Sequence, residues 1–214
     1  IIHTSTSEVY GTAQFVPISE NHPLNGQSPY AASKIAADQI AYSFYSSFDL
    51  PVAICRPFNT YGPRQSMRAI IPTIILQLLR GKNEVELGNI HTTRDFNYIE
   101  DTINGFISIM LCDKSQGEVF NIGSKFEIDI ESTFKIISKI INPNAKITYD
   151  PNRIRPKKSE VERLFCDNSK ALQFLDWKPH YNNKLKFSKG IKETINWYKN
   201  KENISNFKDI GYVI

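Results

Sequence analysis

The sequence predicts an α/β fold, in which part of a doubly wound parallel sheet is joined to a smaller α/β domain. An alanine-rich helical segment lies between two short apolar runs, which is the strand–helix–strand order of a parallel sheet. The composition is that of an ordinary globular protein, with 41% hydrophobic and 22% charged residues. The 214 residues are enough for one substantial core or two small ones.

The first helix is predicted from Pro29 to Phe48. Ser28 offers a hydroxyl cap, Pro29 suits the first turn, and Leu50 with Pro51 ends the helical pattern. The first residues of the chain indicate the end of a strand that turns into a loop. Residues 52–55 form the second apolar run and are predicted to be a buried parallel strand.

The remaining pattern alternates further helices and strands. Helices are predicted at residues 70–80, 101–111, 131–141, 169–175 and 186–200, and strands at 84–87, 118–122 and 146–149. In the helix at 101–111 the apolar residues recur at helical spacing and share one face; they are Ile103, Phe106, Ile107 and Met110. The last helix has the same pattern at Phe187, Ile191, Ile195 and Tyr198.

The charge pattern argues against a nucleic-acid-binding protein. The formal net charge is only +4, and the basic residues are spread along the chain. The one locally basic stretch contains Arg153, Arg155, Lys157 and Lys158. This stretch is typical of a solvated surface with at most one anion site.

The sequence favours a cytoplasmic protein without a membrane span or a metal site. No apolar run approaches the ~20 residues that cross a bilayer. The three cysteines form no CxxC pair and are expected to be free thiols, and the four histidines have no metal-ligand spacing. The chain starts with Ile1 in an apolar segment that does not resemble a signal peptide, which suggests that the sequence begins inside a longer protein.

Tyr30 and Lys34 form the first candidate catalytic pair. They are four residues apart in the predicted helix, so they lie on the same face. A neighbouring ammonium favours the phenolate form of a tyrosine, which can then act as a general base or acid. Spacing alone is more typical of a surface tyrosine beside a solvated lysine.

The surroundings of this pair favour an active site. Residues 5–11 follow the apolar run before the helix, and residues 56–64 follow the run after it. Ligand sites in open α/β sheets lie at the carboxyl ends of the strands. Both polar loops and the first helical turn are therefore expected to meet at one edge of the sheet.

These segments, in this order, resemble the extended short-chain dehydrogenase/reductase family that acts on nucleotide sugars. Ser5 and Thr6 with Tyr30 and Lys34 match the catalytic residues of that family. Further matching blocks cover nearly the whole chain; they are residues 56–59, 61–63, 94–101 and 120–123. The resemblance implies a Rossmann-type sheet and NAD as the cofactor.

The triplet Thr6, Ser7 and Glu8 indicates the subclass. An acidic residue after the catalytic threonine resembles the nucleotide-sugar 4,6-dehydratases, in which such a triplet performs the elimination. Residues 3–12 look most like the dehydratases that begin legionaminic acid synthesis, which favours a UDP-linked substrate. In the related enzymes with aspartate at the position of Ser7, that aspartate is the acid of the elimination.

The resemblance assigns roles to individual residues. The implied catalytic residues are Thr6, Ser7, Glu8, Tyr30 and Lys34. The implied cofactor contacts are Ser5, Tyr30, Lys34, Pro57 and Phe58. The implied substrate contacts are Asn59, Arg64, Arg94 and Arg155. The resemblance also implies a homodimer.

The resemblance divides the chain into two domains. Residues 1–61 with 101–125 match the second half of a Rossmann-type NAD-binding domain, and residues 62–100 with 126–214 match the nucleotide-sugar-binding domain. The glycine-rich loop that the family uses for NAD is not present in these residues. We therefore expect these 214 residues alone to bind NAD poorly and to be inactive.

Two other functions fit the same residues. A nucleotide-sugar 4-epimerase of this family would share Tyr30 and Lys34 but would not depend on the carboxylate of Glu8. A non-catalytic fragment that only binds a nucleotide sugar would retain ligand binding without turnover.

Overall fold

A computed structural model describes residues 1–154, 156 and 159–204. The strands are Ile2–Thr4 (β1), Ala53–Pro57 (β2), Asn59–Tyr61 (β3), Glu84–Leu87 (β4), Thr93–Tyr98 (β5), Val119–Ile122 (β6), Glu127–Asp129 (β7) and Lys146–Tyr149 (β8). The α-helices are Pro29–Phe48 (α1), Ile70–Leu79 (α2), Ile99–Leu111 (α3), Ile130–Ile141 (α4), Ser169–Leu175 (α5), Lys184–Lys199 (α6) and Lys201–Ile204 (α7). No helix within these ranges is long and apolar enough to span a membrane.

The bounds predicted for α1 are confirmed, because both ends are determined by local chemistry. The backbone N–H of Ala31 donates to the Ser28 hydroxyl over 3.1 Å, which caps the start of the helix. Asp49 adopts the left-handed conformation and ends it. The helix thus begins with Tyr30 and Lys34 in its first two turns, next to the end of β1.

The strands form three small sheets. The first has the order β1-β2-β6 and is entirely parallel. The second has the order β3-β5-β7, with β5 parallel to β3 and antiparallel to β7, and the third pairs β4 with β8 in parallel. The strand–helix–strand unit predicted from the sequence is therefore confirmed.

The alternation of side chains along β2 places helices on both faces of the first sheet. Arg56 points to α1, where its guanidinium contacts Asp38. Cys55 belongs to the opposite face and shares an apolar cluster with Ile109 of α3 and Phe120 of β6. Both faces of this parallel sheet are thus covered by helices, as parallel sheets require.

The largest apolar core lies around the second sheet and α2, α4 and α6. The apolar face predicted for the last helix is buried there; its residues are Phe187, Ile191, Ile195 and Tyr198. The face predicted for α3 behaves differently. Ile103, Ile107 and Met110 are exposed, while Thr102 and Ile109 are buried.

Three strands were not predicted from the sequence, namely β3, β5 and β7. β3 and β7 contain only three residues each, and β5 carries the buried polar side chains of Asp95 and Asn97, so none of them shows the extended apolar alternation of a typical strand. Tertiary hydrogen bonds compensate for this polarity. Asn97, for example, donates to the Thr102 hydroxyl over 2.8 Å.

Asp95 of β5 ties three segments together. Its fully buried carboxylate accepts hydrogen bonds from the backbone N–H and hydroxyl of Ser124 at 2.8 and 2.6 Å. It also accepts from the backbone N–H of Lys125 at 3.0 Å and of Cys166 at 3.1 Å. Burial raises the pKa of Asp95 to about 6, and these hydrogen bonds limit the rise.

Replacing Asp95 with asparagine should destabilise the fold although the shape is kept. The new amide group would face N–H donors that lose their acceptor, so we expect a loss of roughly 2 kcal/mol in urea unfolding at pH 5, below the raised pKa of Asp95. The same change at the exposed Asp113 should cost less than about 0.5 kcal/mol. Equal stability of the two variants would contradict this role of Asp95.

A comparison of wild type with Asp95→Asn over a range of pH also tests the titration of Asp95. Its raised pKa means that the folded chain holds this proton more tightly than the unfolded chain does. The resulting stabilisation is complete below the ordinary carboxyl pKa of 3.8 and is lost as the pH rises through about 6. The difference in unfolding free energy between wild type and Asp95→Asn should change over this interval, and a constant difference would contradict the titration.

Candidate active site

The loop after β1 is held by its own hydrogen bonds. The backbone N–H of Ser5 donates to Cys55 of β2 over 2.8 Å, which fixes the start of the loop to the sheet. The hydroxyl of Thr6 then accepts from the backbone N–H of Glu8 over 3.2 Å and caps a 3-10 helix, Ser7–Tyr10. Ser5, Thr6 and Ser7 are buried, whereas Glu8 is partly exposed.

Gly11 ends this loop in a conformation that favours glycine. Its φ is 62°, and a Cβ at this position would lie 2.9 Å from the carbonyl oxygen of Asn25 and still closer to the side chain of Gln27. Gly11 therefore forms a tight turn directly after Tyr10. The hydrogen bond of Ser5 and this turn fix the two ends of the loop that contains Thr6 and Glu8.

The helix that carries Tyr30 and Lys34 packs against this loop. The Lys34 ammonium donates to the Thr4 carbonyl at the end of β1 over 2.9 Å. Ile35, the next residue of α1, packs against the cluster that contains Val9 and Tyr10. The first turns of α1 thus lie beside the loop with Thr6 and Glu8, and Tyr30 in these turns is half-exposed.

A polar cavity of about 310 Å³ opens next to this edge. Glu8, Asn59 of β3 and Arg94 of β5 line it together. The other lining residues come from the loop before α2 and its first turns, from the end of β4, the following loop and β5, from α4, and from two residues nearer the end of the chain; among them are Gln65, Arg68, Thr73, Asn89, Arg153 and Glu160.

Three arginines, Arg68, Arg94 and Arg153, and two glutamates, Glu8 and Glu160, line this cavity. The Arg94 guanidinium lies 3.4 Å from the Glu160 carboxylate and donates to the Thr93 carbonyl over 2.8 Å, so its position is fixed. Arg153 is held by Asp150 at 3.0 Å. The start of α2 has no side-chain cap, and its residues Ala69 and Ile70 line the same cavity. Such an arrangement suits a phosphate-bearing ligand.

Only some of the predicted binding residues that the structure describes line the cavity. Asn59 and Arg94 line the cavity, and Pro57 is partly exposed at the carboxyl end of β2. Arg64 has a left-handed backbone with φ of 66°, is exposed and does not line the cavity. Arg155 lies outside the described residues.

The prediction of a cofactor contact by Phe58 is wrong for the side chain. Its ring is 1% exposed and packs among Tyr10, Ile18 and Leu164. The backbone is also engaged, since the N–H of Phe58 donates to the Ile122 carbonyl and its carbonyl accepts from the Thr60 hydroxyl. Phe58 therefore contributes to the site as a buried core residue that holds its neighbours Pro57 and Asn59 in place.

The sequence did not assign contacts to several polar residues of the cavity, among them Gln65, Arg68, Asn89 and Arg153. The basic stretch that includes Arg153 indicated an anion site, but nothing in the sequence placed it opposite Arg94. Gln65 is fixed by tertiary contacts, because its amide donates to the Thr60 carbonyl over 2.7 Å. Sequence spacing alone does not reveal such contacts.

The thiols do not contribute to this chemistry. Cys55 and Cys166 are buried, and burial raises the pKa of both. Neither thiol forms the nucleophilic thiolate near neutral pH. The third cysteine, Cys112, is a free thiol that is only partly buried.

The parallel sheet with a polar cleft at its carboxyl edge defines a Rossmann-type α/β protein. Residues 1–194 match the family model described as GDP-mannose 4,6 dehydratase, and the chain belongs to this family. It is 31% identical over 212 residues to the human dTDP-D-glucose 4,6-dehydratase, and the match covers 98% of this chain and 58% of the human protein.

Two solved structures show the same fold. The dTDP-glucose 4,6-dehydratase from Bacillus anthracis in complex with NAD has a TM-score of 0.81 and 30% identity, over 94% of this chain and 62% of that one. The UDP-glucuronic acid 4-epimerase from Bacillus cereus, in complex with UDP-glucuronic acid and NAD, has a TM-score of 0.83 and 30% identity, over 92% and 60%. The chain therefore spans about three fifths of these relatives.

The cavity predicts binding of inorganic pyrophosphate through Arg94. Replacing Arg94 with glutamine removes a charged, forked donor and should weaken pyrophosphate binding about tenfold or more, as measured by isothermal titration calorimetry. The Arg64→Gln variant serves as a control, because Arg64 lies outside the cavity lining. A larger loss for Arg64→Gln than for Arg94→Gln would show that the anion binds elsewhere.

Proposed function

We propose that the chain carries the catalytic residues of an NAD-dependent nucleotide-sugar 4,6-dehydratase, a lyase that converts a nucleotide-activated hexose to its 4-keto-6-deoxy form. The observation that supports this most is the position of Glu8. Its carboxylate shares a cavity with Asn59 and Arg94 and lies two residues beyond Thr6. A base for elimination is thus available next to a site for the sugar diphosphate.

The residues at the carboxyl edge of the first sheet fit NAD. The Ser5 hydroxyl is buried without a hydrogen-bond partner in the described part of the chain, and Tyr30, Lys34 and Pro57 lie at the same edge. When bound, NAD would accept hydride from C4 of the sugar and, after the elimination, return it to C6 while a proton returns to C5. In this proposal residues 1–61 and 101–125 belong to the NAD-binding domain, and residues 62–100 and 126–214 bind the nucleotide sugar.

The protein residues divide the proton transfers between them. Tyr30, assisted by Lys34 and Thr6, takes the proton of the 4-hydroxyl as C4 is oxidised. The resulting ketone acidifies the proton at C5, and Glu8 removes it. The 6-hydroxyl leaves as water. Since Ser7 cannot donate as an aspartic acid would, the proton for this water comes from Glu8 itself or from a bound water.

The substrate is proposed to be a UDP-linked hexose, with an N-acetylglucosamine sugar as the first to test. The Arg94 guanidinium would hold the diphosphate, and the Asn59 amide would contact the diphosphate or the sugar beside it. Arg68 and Arg153 add positive charge to the same cavity. Water is then eliminated from C6 while the nucleotide stays bound.

The second candidate function is a 4-epimerase of the same family. The similarity to the UDP-glucuronic acid 4-epimerase favours it, and the phenol–ammonium pair of Tyr30 and Lys34 serves either reaction. An epimerase oxidises and reduces the sugar at C4 without elimination, so it has no use for a base at C5. Glu8 is the residue that separates the two functions.

The Glu8→Gln substitution in the full enzyme tests the assignment. With UDP-N-acetylglucosamine, the wild type should form a product lighter by one water, detected by mass spectrometry. Removing the carboxylate should slow this elimination by about a hundredfold or more, because a general base is lost. Glu162→Gln, at an exposed position, should leave the rate unchanged.

The outcome also separates the alternatives. A wild-type product of unchanged mass that is insensitive to Glu8→Gln would favour the epimerase. Binding of the nucleotide sugar without any product in the full enzyme would contradict both enzymatic functions and favour a binding protein.

A further inference from the structure

A buried chain of hydrogen bonds connects four polar residues that none of the steps above uses. Tyr10, Asp38 and Asn121 are fully buried, and Arg56 is 5% exposed. Three of them occur in the sequence blocks that identify the family, but no role in the reaction follows from those blocks. Burying such groups is costly unless each one is paired, so their arrangement requires an explanation.

The pairing is complete along the chain. The Arg56 guanidinium donates to the Asp38 carboxylate through Nε at 3.0 Å and Nη2 at 2.9 Å. Its Nη1 donates to the Tyr10 hydroxyl at 3.0 Å, and this hydroxyl donates to Asn121 Oδ1 at 2.7 Å. Burial raises the pKa of Tyr10 to about 12. The phenol therefore stays protonated and can act as donor and acceptor at once.

Each member of the chain lies in a different part of the proposed active site. Tyr10 ends the 3-10 helix that begins at the cap residue Thr6 and contains Glu8. Asp38 is one helical turn beyond Lys34 on α1. Arg56 and Asn121 are paired neighbours in β2 and β6. The chain therefore links the loop with the carboxylate to the helix with the phenol, through the central strands.

We propose that Tyr10, Asp38, Arg56 and Asn121 are positioning residues that hold Glu8 in register with Tyr30 and Lys34. The inference rests on the proposed function, in which the two groups act in turn on adjacent carbons of one sugar. Apolar residues of similar size would fill the same space but would leave the loop free to shift along α1. Directional hydrogen bonds fix both distance and orientation.

The Tyr10→Phe substitution in the full enzyme tests this role with little change in volume. We expect kcat per folded enzyme to fall about tenfold to a hundredfold, since small displacements of catalytic groups have effects of this size. KM for the nucleotide sugar should change less than twofold, because Arg94 and Asn59 are not part of the chain. The folded fraction is counted by UDP binding.

The Tyr181→Phe variant is the matched control. Tyr181 is also a buried tyrosine, and its hydroxyl contacts Glu193 at 3.3 Å away from the cavity. It should lose stability without losing kcat. Equal effects of the two variants on kcat, or a change in KM alone for Tyr10→Phe, would overturn the proposal.

The double substitution Tyr10→Phe with Asn121→Leu separates stability from positioning. The second change removes the Asn121 Oδ1 acceptor that Tyr10→Phe leaves unpaired, but Arg56 Nη1 and the Ile18 carbonyl, which accepts from Asn121 Nδ2 at 3.1 Å, also lose a partner, so the melting temperature is measured for both variants. The proposal expects kcat per folded enzyme to stay low in the double variant whether its melting temperature lies above or below that of Tyr10→Phe. If kcat per folded enzyme recovers in the double variant, the positioning role is contradicted. This outcome can be read even if Tyr10→Phe alone folds poorly.

A failure of the proposed function gives a different result. If the wild-type enzyme binds UDP but turns over no nucleotide sugar, the dehydratase assignment fails, and the positioning role fails with it. If the wild type is active and Tyr10→Phe leaves kcat unchanged, only the positioning role fails.

Discussion

The parallel register of β1, β2 and β6 is the constraint on which the rest of the structure depends. Thr4 pairs with Cys55, and Arg56 pairs with Asn121, so the three strands end at one edge. Each strand leads directly into a polar segment there. A shift of one residue in β2 would move Arg56 to the opposite face and would separate it from Asp38 on α1.

Buried aspartates join segments that are distant in sequence. Asp38 connects α1 to β2, and Asp95 connects β5 to the backbone at residues 124–125 and 166. Asp101 accepts the backbone N–H groups of His180 and Tyr181 at 2.9 and 2.8 Å. Most of these contacts use backbone donors or a guanidinium, so each carboxylate is satisfied without solvent. They keep the short, polar strands in place where apolar packing alone would not.

The sequence was sufficient where local chemistry decides the structure. The bounds of α1 follow from Ser28, Pro29 and the stop after Phe48, and the buried face of α6 follows from its helical spacing. The strand β5 could not be predicted, because Asp95 and Asn97 are polar residues that only tertiary partners make compatible with burial. The spacing predicts the apolar face of α3, but it does not predict whether this face is buried or exposed.

The candidate site shows the same division. Spacing along α1 and the loop after β1 brought Tyr30, Lys34 and Glu8 to attention, and the fold places their elements side by side. The cavity wall depends on contacts between distant segments, so Arg68 and Arg153 were not recognised as partners of Arg94. Arg64 looked equally suitable in sequence, yet its left-handed backbone carries it away from the cavity.

The passage from β2 to β3 takes a single residue, Phe58, and that residue is sealed in the core. One continuous segment of backbone thus forms a strand in the sheet with β1 and then a strand in the sheet with β5. Domain closure in proteins needs a segment whose dihedral angles can change freely, and a packed aromatic residue with both backbone groups bonded is a poor hinge. Asn59, which directly follows Phe58 and lines the cavity, is accordingly held in a fixed position against which a ligand can bind.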